Sequence, residues 1–287
     1  MKQLTEHLYS GTNFQFANVG AAITEYGIVL IDAPVRPSDS KSWQNQLRSL
    51  SPLGIRYLIS TDFHGDHATG SAFVDGVTFI APQLVYDHIV HGKDPFSKQM
   101  FIDTLKDQGQ TEEAARIAEA VVPLPQICFE DSLILHLPPL TLEIRRLGGH
   151  TPACSAVYIP EEKVIFTGDV IINSPTPGMR EANVGQWLKG LEWIESLPVD
   201  RIIPGHGEAG GKELVGKLKE YLTGIQAAME KLVQDGRPKK EAVVDASFDK
   251  FFRVDSSRGA YWVKSRKETF RRGLETLYDE VKGMKRM

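Results

Sequence analysis

Ser60-Thr61-Asp62-Phe63-His64-Gly65-Asp66-His67 places two histidines and two aspartates within six positions. The stretch directly follows a short apolar run, Tyr57-Leu58-Ile59, that reads as a buried strand. Potential metal ligands therefore collect where a strand ends and a loop begins, and Gly65 permits the bend that turns them towards one point. Imidazole and carboxylate donors suit zinc, manganese or iron, and no thiolate lies in the stretch. The plain alternative is a polar surface loop; residues further along argue against it.

Working outward, residues 8 to 33 read as hairpins. Asn18 to Thr24 and Gly27 to Ile31 are strands joined by a turn at Glu25-Tyr26-Gly27, and the second ends at Asp32-Ala33-Pro34. Ser38-Asp39-Ser40 reads as a helix start, with Trp43, Leu47 and Leu50 on one face. Thr78 to Ala81 is the strand after the ligand loop, so the rhythm is that of a layered α/β fold. Residues 83 to 120 break it with short helical runs, interrupted at Gly92, Asp94-Pro95 and Gly109. This helical insertion is expected to border the site, as segments inserted between ligand loops tend to do.

From Pro123 the β rhythm returns in short strands at 127–129, 133–137, 140–146, 154–159 and 164–167. Gly148-Gly149-His150-Thr151-Pro152 and Thr167-Gly168-Asp169 follow two of them. An amphipathic helix over Asn183 to Leu197 leads to the strand Arg201-Ile202-Ile203-Pro204 and then Gly205-His206-Gly207. Leu214 to Leu232 keeps a helical stripe, and a last helix carries Tyr261, Trp262, Phe270, Leu274, Leu277 and Val281. These stripes read as core; a homodimer contact is the other use of the last helix. His150, Asp169 and His206 thus stand at three strand ends, each beside glycine, where backbone can turn sharply and approach closely.

The ordered set Asp32, Asp62 to His67, Gly149-His150-Thr151, Thr167-Gly168-Asp169 and Pro204-Gly205-His206-Gly207 resembles the five motifs of the metallo-β-lactamase fold superfamily. The resemblance runs from about residue 15 to residue 210. It implies an α/β, αββα sandwich over residues 1–210, with the 83–120 insertion and a helical C-terminal extension, 211–287, packed on the same domain. It implies two divalent metal ions, zinc first and manganese or iron as alternatives. One would take His64 and His150, the other Asp66, His67 and His206, with Asp169 bridging. Catalytic weight falls on Asp66, which would ligate or guide the nucleophile, and on Asp32, which would hold the ligand loop from behind. The departure is Asp62, which stands where the family's HxHxDH motif has its first histidine. Asp62 is expected to be a metal ligand in its place, bringing a third carboxylate that makes bound water harder to deprotonate and favours harder ions. Cys154 matches no ligand position and reads as a small core residue.

The implied activity is that of a metal-dependent hydrolase attacking a carbonyl-type substrate (ester, lactone, amide or thioester) with metal-activated water. The alternatives are a mononuclear iron oxygenase of the sulfur dioxygenase kind, or a binding protein with a decayed site. Arg180, Lys189 and Arg258 are the basic groups that could meet an anionic substrate. With 33 Lys and Arg against 37 Asp and Glu, the formal charge of −4 gives no field to recruit nucleic acid or an anionic membrane. A small-molecule substrate is expected. Cys128 and Cys154 make no disulfide framework. The N-terminal residues lack a signal-peptide core and no apolar run nears a transmembrane span, so a cytoplasmic protein is expected.

Overall fold

The structure is a computed structural model that describes residues 1–92, 95–254 and 260–284. Asp94 and Arg258, and the side chains of Tyr261 and Trp262, lie outside the described residues. The first sheet keeps sequence order: β1 (Lys2–Gln3), β2 (Leu8–Gly11), β3 (Val19–Thr24), β4 (Gly27–Ile31), β5 (Ile55–Ile59), β6 (Thr78–Pro82) and β7 (Ile127–Phe129). It opens with antiparallel hairpins and turns parallel from β4 onward. The second comprises β8 (Ser132–Leu137), β9 (Leu140–Arg146), β10 (Ser155–Ile159), β11 (Val164–Phe166) and β12 (Arg201–Ile203), ordered β12-β11-β10-β9-β8.

Strand alternation sorts side chains between two faces, and that sorting builds three layers of core. Leu8, Ala22, Val29, Ile31, Ile59 and Ile80 meet Leu142, Ile144, Val157, Ile159, Val164 and Phe166 between the sheets. On the opposite face of the first sheet, Ala21, Leu30, Leu58 and Phe79 pack on Trp43 and Leu47 of α1 (Pro37–Arg48) and Val85 of α3 (Gln83–His91). On the outer face of the second, Ala156, Tyr158, Ile165 and Ile202 pack on Trp187, Leu191 and Ile194 of α6 (Val184–Ser196). Helices therefore cover both outer faces, giving the αββα sandwich.

The segment expected to be helical between 83 and 120 forms α3, α4 (Pro95–Asp107) and α5 (Thr111–Glu119). Phe101, Ile102, Leu105, Ala114 and Ile117 make a separate small core with Val35, against which Phe16 and Phe73 pack. After the last strand, α7 (Glu213–Gln234), α8 (Lys239–Ala242) and α9 (Ala260–Val281) supply Leu214, Leu218, Leu222, Ala242, Leu274, Leu277 and Tyr278 to the core of the second sheet. Among the described residues no helix is long and apolar enough to cross a membrane.

One helix start differs from its expected form. The first helical residue of α1 is Pro37, whose fixed φ suits that position. Arg36 precedes it without a side-chain cap, and the Ser38 N–H is taken by Glu113 of α5 at 3.1 Å. A carboxylate 75 residues away in sequence thus serves the start of this helix.

Candidate metal centre

Parallel pairing of β4, β5 and β6, and of β11 with β12, points their C-terminal ends to one edge of the sandwich. Asp32 follows β4, and the 62–67 loop follows β5, running into α2 (Gly65–Ala68). His150 lies in the β9–β10 connection, Asp169 follows β11 and His206 follows β12. The edge is tied across the sheets: the Ser155 N–H donates to the Thr61 carbonyl at 2.8 Å, and the Asn18 side chain donates to the carbonyls of Pro204 and Gly207 at 2.8 Å each.

Backbone geometry aims the acids. Asp32 sits at φ 55°, in the left-handed region that non-glycine residues rarely occupy. There its Oδ1 accepts from Thr61 N–H at 2.8 Å, and its Oδ2 lies 2.7 Å from Thr61 Oγ1 and 2.8 Å from His67 Nδ1. Asp169 needs Gly205 beside it: a Cβ there would lie 2.1 Å from Asp169 Oδ1.

The histidines converge. His67 Nε2 and His206 Nε2 stand 3.4 and 3.3 Å from Asp169 Oδ1, and His206 Nε2 is 3.1 Å from Asp66 Oδ2. His150 Nε2 is 3.3 Å from the other oxygen of Asp169 and 3.1 Å from His64 Nδ1. The ring nitrogens facing away are anchored: His150 Nδ1 on the Gly178 carbonyl at 2.9 Å, His206 Nδ1 on the Phe16 carbonyl at 3.2 Å. Two groups of candidate ligands result, Asp62–His64–His150 and Asp66–His67–His206, with ligand atoms within 4.8 Å of one another in each. Asp169 presents one oxygen towards each group.

A divalent ion fits these residues. Ligand atoms around a tetrahedral ion at about 2.0–2.1 Å lie roughly 3.3 Å apart, and the separations just given run from 3.1 to 3.4 Å. His67 Nε2 and Asp169 Oδ1 are buried with no hydrogen-bond partner, a cost of about 1–3 kcal/mol each unless something else satisfies them. The donors are nitrogen and oxygen throughout, which suits zinc, manganese or iron.

Electrostatics agree. Burial opposes charge on His64, but Asp62, then Glu181 and Asp66, outweigh it and hold its pKa up at about 9. Burial opposes charge on His206 as well, yet Asp169 and Asp66 hold it up at about 10. Burial pushes the carboxyls of Asp66 and Asp169 up, while the surrounding imidazoles drive both below the usual carboxylate range. So many carboxylates around imidazoles is the field of a cation site.

The sequence profile described as the metallo-beta-lactamase superfamily matches residues 13–206. The chain belongs to the metallo-β-lactamase superfamily. This superfamily member is 24% identical over 206 residues to the metallo-beta-lactamase type 2 of Bacteroides fragilis, covering 70% of this chain and 72% of that protein. It is 26% identical over 168 residues to the beta-lactamase-like protein 2 homolog of Caenorhabditis elegans, spanning 58% of this chain and 47% of that relative. The solved metallo-beta-lactamase from Pontibacter korlensis superposes with a TM-score of 0.60 at 18% identity, over 77% of this chain and 97% of the other. That likeness shows the fold.

Within this metallo-β-lactamase frame, Asp62 stands at ligand reach but is already engaged. Its Oδ1 accepts from Phe63 N–H at 2.6 Å and from the Thr151 hydroxyl at 2.7 Å. Its Oδ2 accepts from the Cys154 thiol at 3.1 Å and lies 3.8 Å from His64 Nδ1. Cys154 is thus more than the core filler expected: it is buried, and burial first and Asp62 second push its pKa well up, so it stays a donor. Phe63, half-buried, stacks on His88 of α3 at 4.4 Å, while Phe16, whose carbonyl anchors His206, packs on Phe101 of α4 at 4.6 Å. The helical insertion therefore abuts the residues flanking the ligands. Of the basic groups singled out in the sequence, Arg180 lies 3.3 Å from Glu181, which in turn faces His64, whereas Lys189 is exposed on α6. Phe16, Asn18, Thr61, Gly178 and Glu181 carried no role in the sequence reading.

Proposed function

We propose that this protein is a hydrolase of small carbonyl-type substrates, ester, lactone, amide or thioester, working with two divalent metal ions of which zinc is the first choice. The observation carrying the reading is the pair of ligand groups that share Asp169. Ions held there would polarise the substrate's carbonyl oxygen and acidify a water for attack. The chain's own part is positioning and proton control. His64 and His150 would hold one ion, Asp66, His67 and His206 the other, and Asp169 both. Asp66, partly exposed beside His206, is placed to orient the attacking water or take its proton. Asp32 fixes the His67 ring with its proton on Nδ1, which leaves Nε2 free to bind metal. Phosphodiesters of nucleic acid fit less well with a charge of −4.

Metal analysis with a panel of ester, lactone, β-lactam, thioester and phosphodiester substrates tests this. Two ions per chain with oxygen-independent hydrolysis is the expected result. One iron with oxygen consumption would point to an oxygenase of the sulfur dioxygenase kind, and no turnover under any metal to a binding protein.

Chelation gives a further expected outcome. Once metal is stripped, His64 and His206 are paired imidazoliums, with pKa values raised above the unfolded value to about 9 and 10. A raised folded pKa gives stability that is full below the unfolded value of about 6.5 and lost as pH climbs through the folded one. The Tm of the chelated protein should therefore fall between about pH 7 and pH 10, and that of the metal-loaded protein should fall less, because bound imidazoles are already neutral. A chelated Tm that stays flat over this range would contradict the pairing.

A further inference from the structure

Three of the four clustered histidines have their outward ring nitrogen fixed: His67 by Asp32, His150 by the Gly178 carbonyl and His206 by the Phe16 carbonyl. His64 is turned the other way. Its Nδ1 faces His150 Nε2, and its Nε2 is buried without a hydrogen-bond partner. A Glu181 carboxylate oxygen lies 3.8 Å from that Nε2, longer than a hydrogen bond but within reach of charge.

Glu181 belongs to the stretch between β11 and α6, which the C-terminal extension clamps. The Thr176 hydroxyl donates to the Arg253 carbonyl at 2.8 Å and accepts from the Arg253 N–H at 2.8 Å. The Arg266 guanidinium donates to the Thr176 carbonyl at 2.6 Å, and the Thr276 hydroxyl to the Arg180 carbonyl at 2.7 Å. Met179 is buried in one core with Leu274 and Leu277. The Glu280 carboxylate accepts from Val184 and Gly185 N–H at 2.8 and 2.9 Å, closing the far end. The same stretch carries Gly178, the anchor of His150. Both imidazoles of the first ligand group thus depend on one loop, held by residues beyond position 206, where the family match ends.

We propose that Glu181 is the positioning residue of His64, and that the C-terminal extension, by clamping its loop, sets the affinity of the first metal site. The proposal rests on the reading of His64 as a metal ligand. A carboxylate beside the outer N–H of a ligating imidazole fixes its tautomer and raises the basicity of the inner nitrogen. The need is greater here because Asp62 replaces an imidazole, leaving this group two histidines.

The test is a titration of the full chain, stripped and then reloaded with zinc or cobalt(II) against a chromogenic chelator, which reads each binding step separately. His64→Ala identifies the first-site step as the one it abolishes. Glu181→Gln should weaken that step by about 10–100-fold and leave the other within about twofold. Thr276→Val, remote from any ligand, should weaken the same step to a smaller degree. Two intact steps in Glu181→Gln, or equal loss of both, would overturn the proposal while leaving the metal centre standing. Failure of the unaltered chain to bind metal in two steps would overturn both.

Discussion

Asp169→Ala should empty both halves of the metal centre. One oxygen of Asp169 faces His67 and His206 at 3.4 and 3.3 Å, and the other faces His150 at 3.3 Å. Asp169 is 3% exposed, and its two oxygens face the two groups separately. Removing it leaves imidazoles aimed at one another with no shared anion. The loss in metal affinity should exceed the roughly 10–100-fold expected for a supporting residue, and turnover should fall with it. Elemental analysis after dialysis should find well under one equivalent of metal in a protein whose circular dichroism is unchanged. Retention of two equivalents would remove Asp169 from the bridging role.

Asp32→Asn is the subtler change with the second-largest expected effect. The amide is nearly isosteric, so one oxygen can still accept from Thr61 N–H. The other position becomes an NH2 facing Thr61 Oγ1 and His67 Nδ1, where Oδ2 now accepts at 2.7 and 2.8 Å. A donor there makes Nδ1 the acceptor and moves the ring proton to Nε2, the atom that would bind metal. Affinity at the Asp66–His67–His206 group should fall by about 10–100-fold, with the other group much less affected. Asp32→Ala should add a stability loss, because it leaves the buried Thr61 N–H without its acceptor, at about 1–3 kcal/mol. If Asp32→Asn binds metal as tightly as the unaltered chain, the tautomer argument is wrong.

The legible parts of this site share a physical origin. His64, Asp66, His67, His150, Asp169 and His206 could be singled out as candidate ligands because a side chain aimed from a strand end into a cleft needs glycine nearby. That pairing leaves a mark in sequence, as the 2.1 Å approach of a Gly205 Cβ to Asp169 illustrates. The strands could be read because both faces of each sheet are covered, which makes them short and apolar. What escaped reading has no mark of residue type. The Gly178 and Phe16 carbonyls anchor histidines through backbone that any residue supplies. Glu181 lies 117 positions from His64, and Glu113, which caps α1, lies 75 from Ser38. Asp62 was visible as an anomaly, but its engagement by Phe63, Thr151 and Cys154 depends on the β9–β10 connection folding over it. The clamp built by Arg266, Thr276 and Glu280 was equally hidden, because the helical stripe of the last helix reports only what faces the core.

Anomalous diffraction from crystals loaded with zinc or manganese would locate the ions. Two peaks about 3.5–4 Å apart are expected, one among His64, His150 and Asp169, the other among Asp66, His67, His206 and Asp169. A single peak, or peaks away from these side chains, would contradict the two-ion centre.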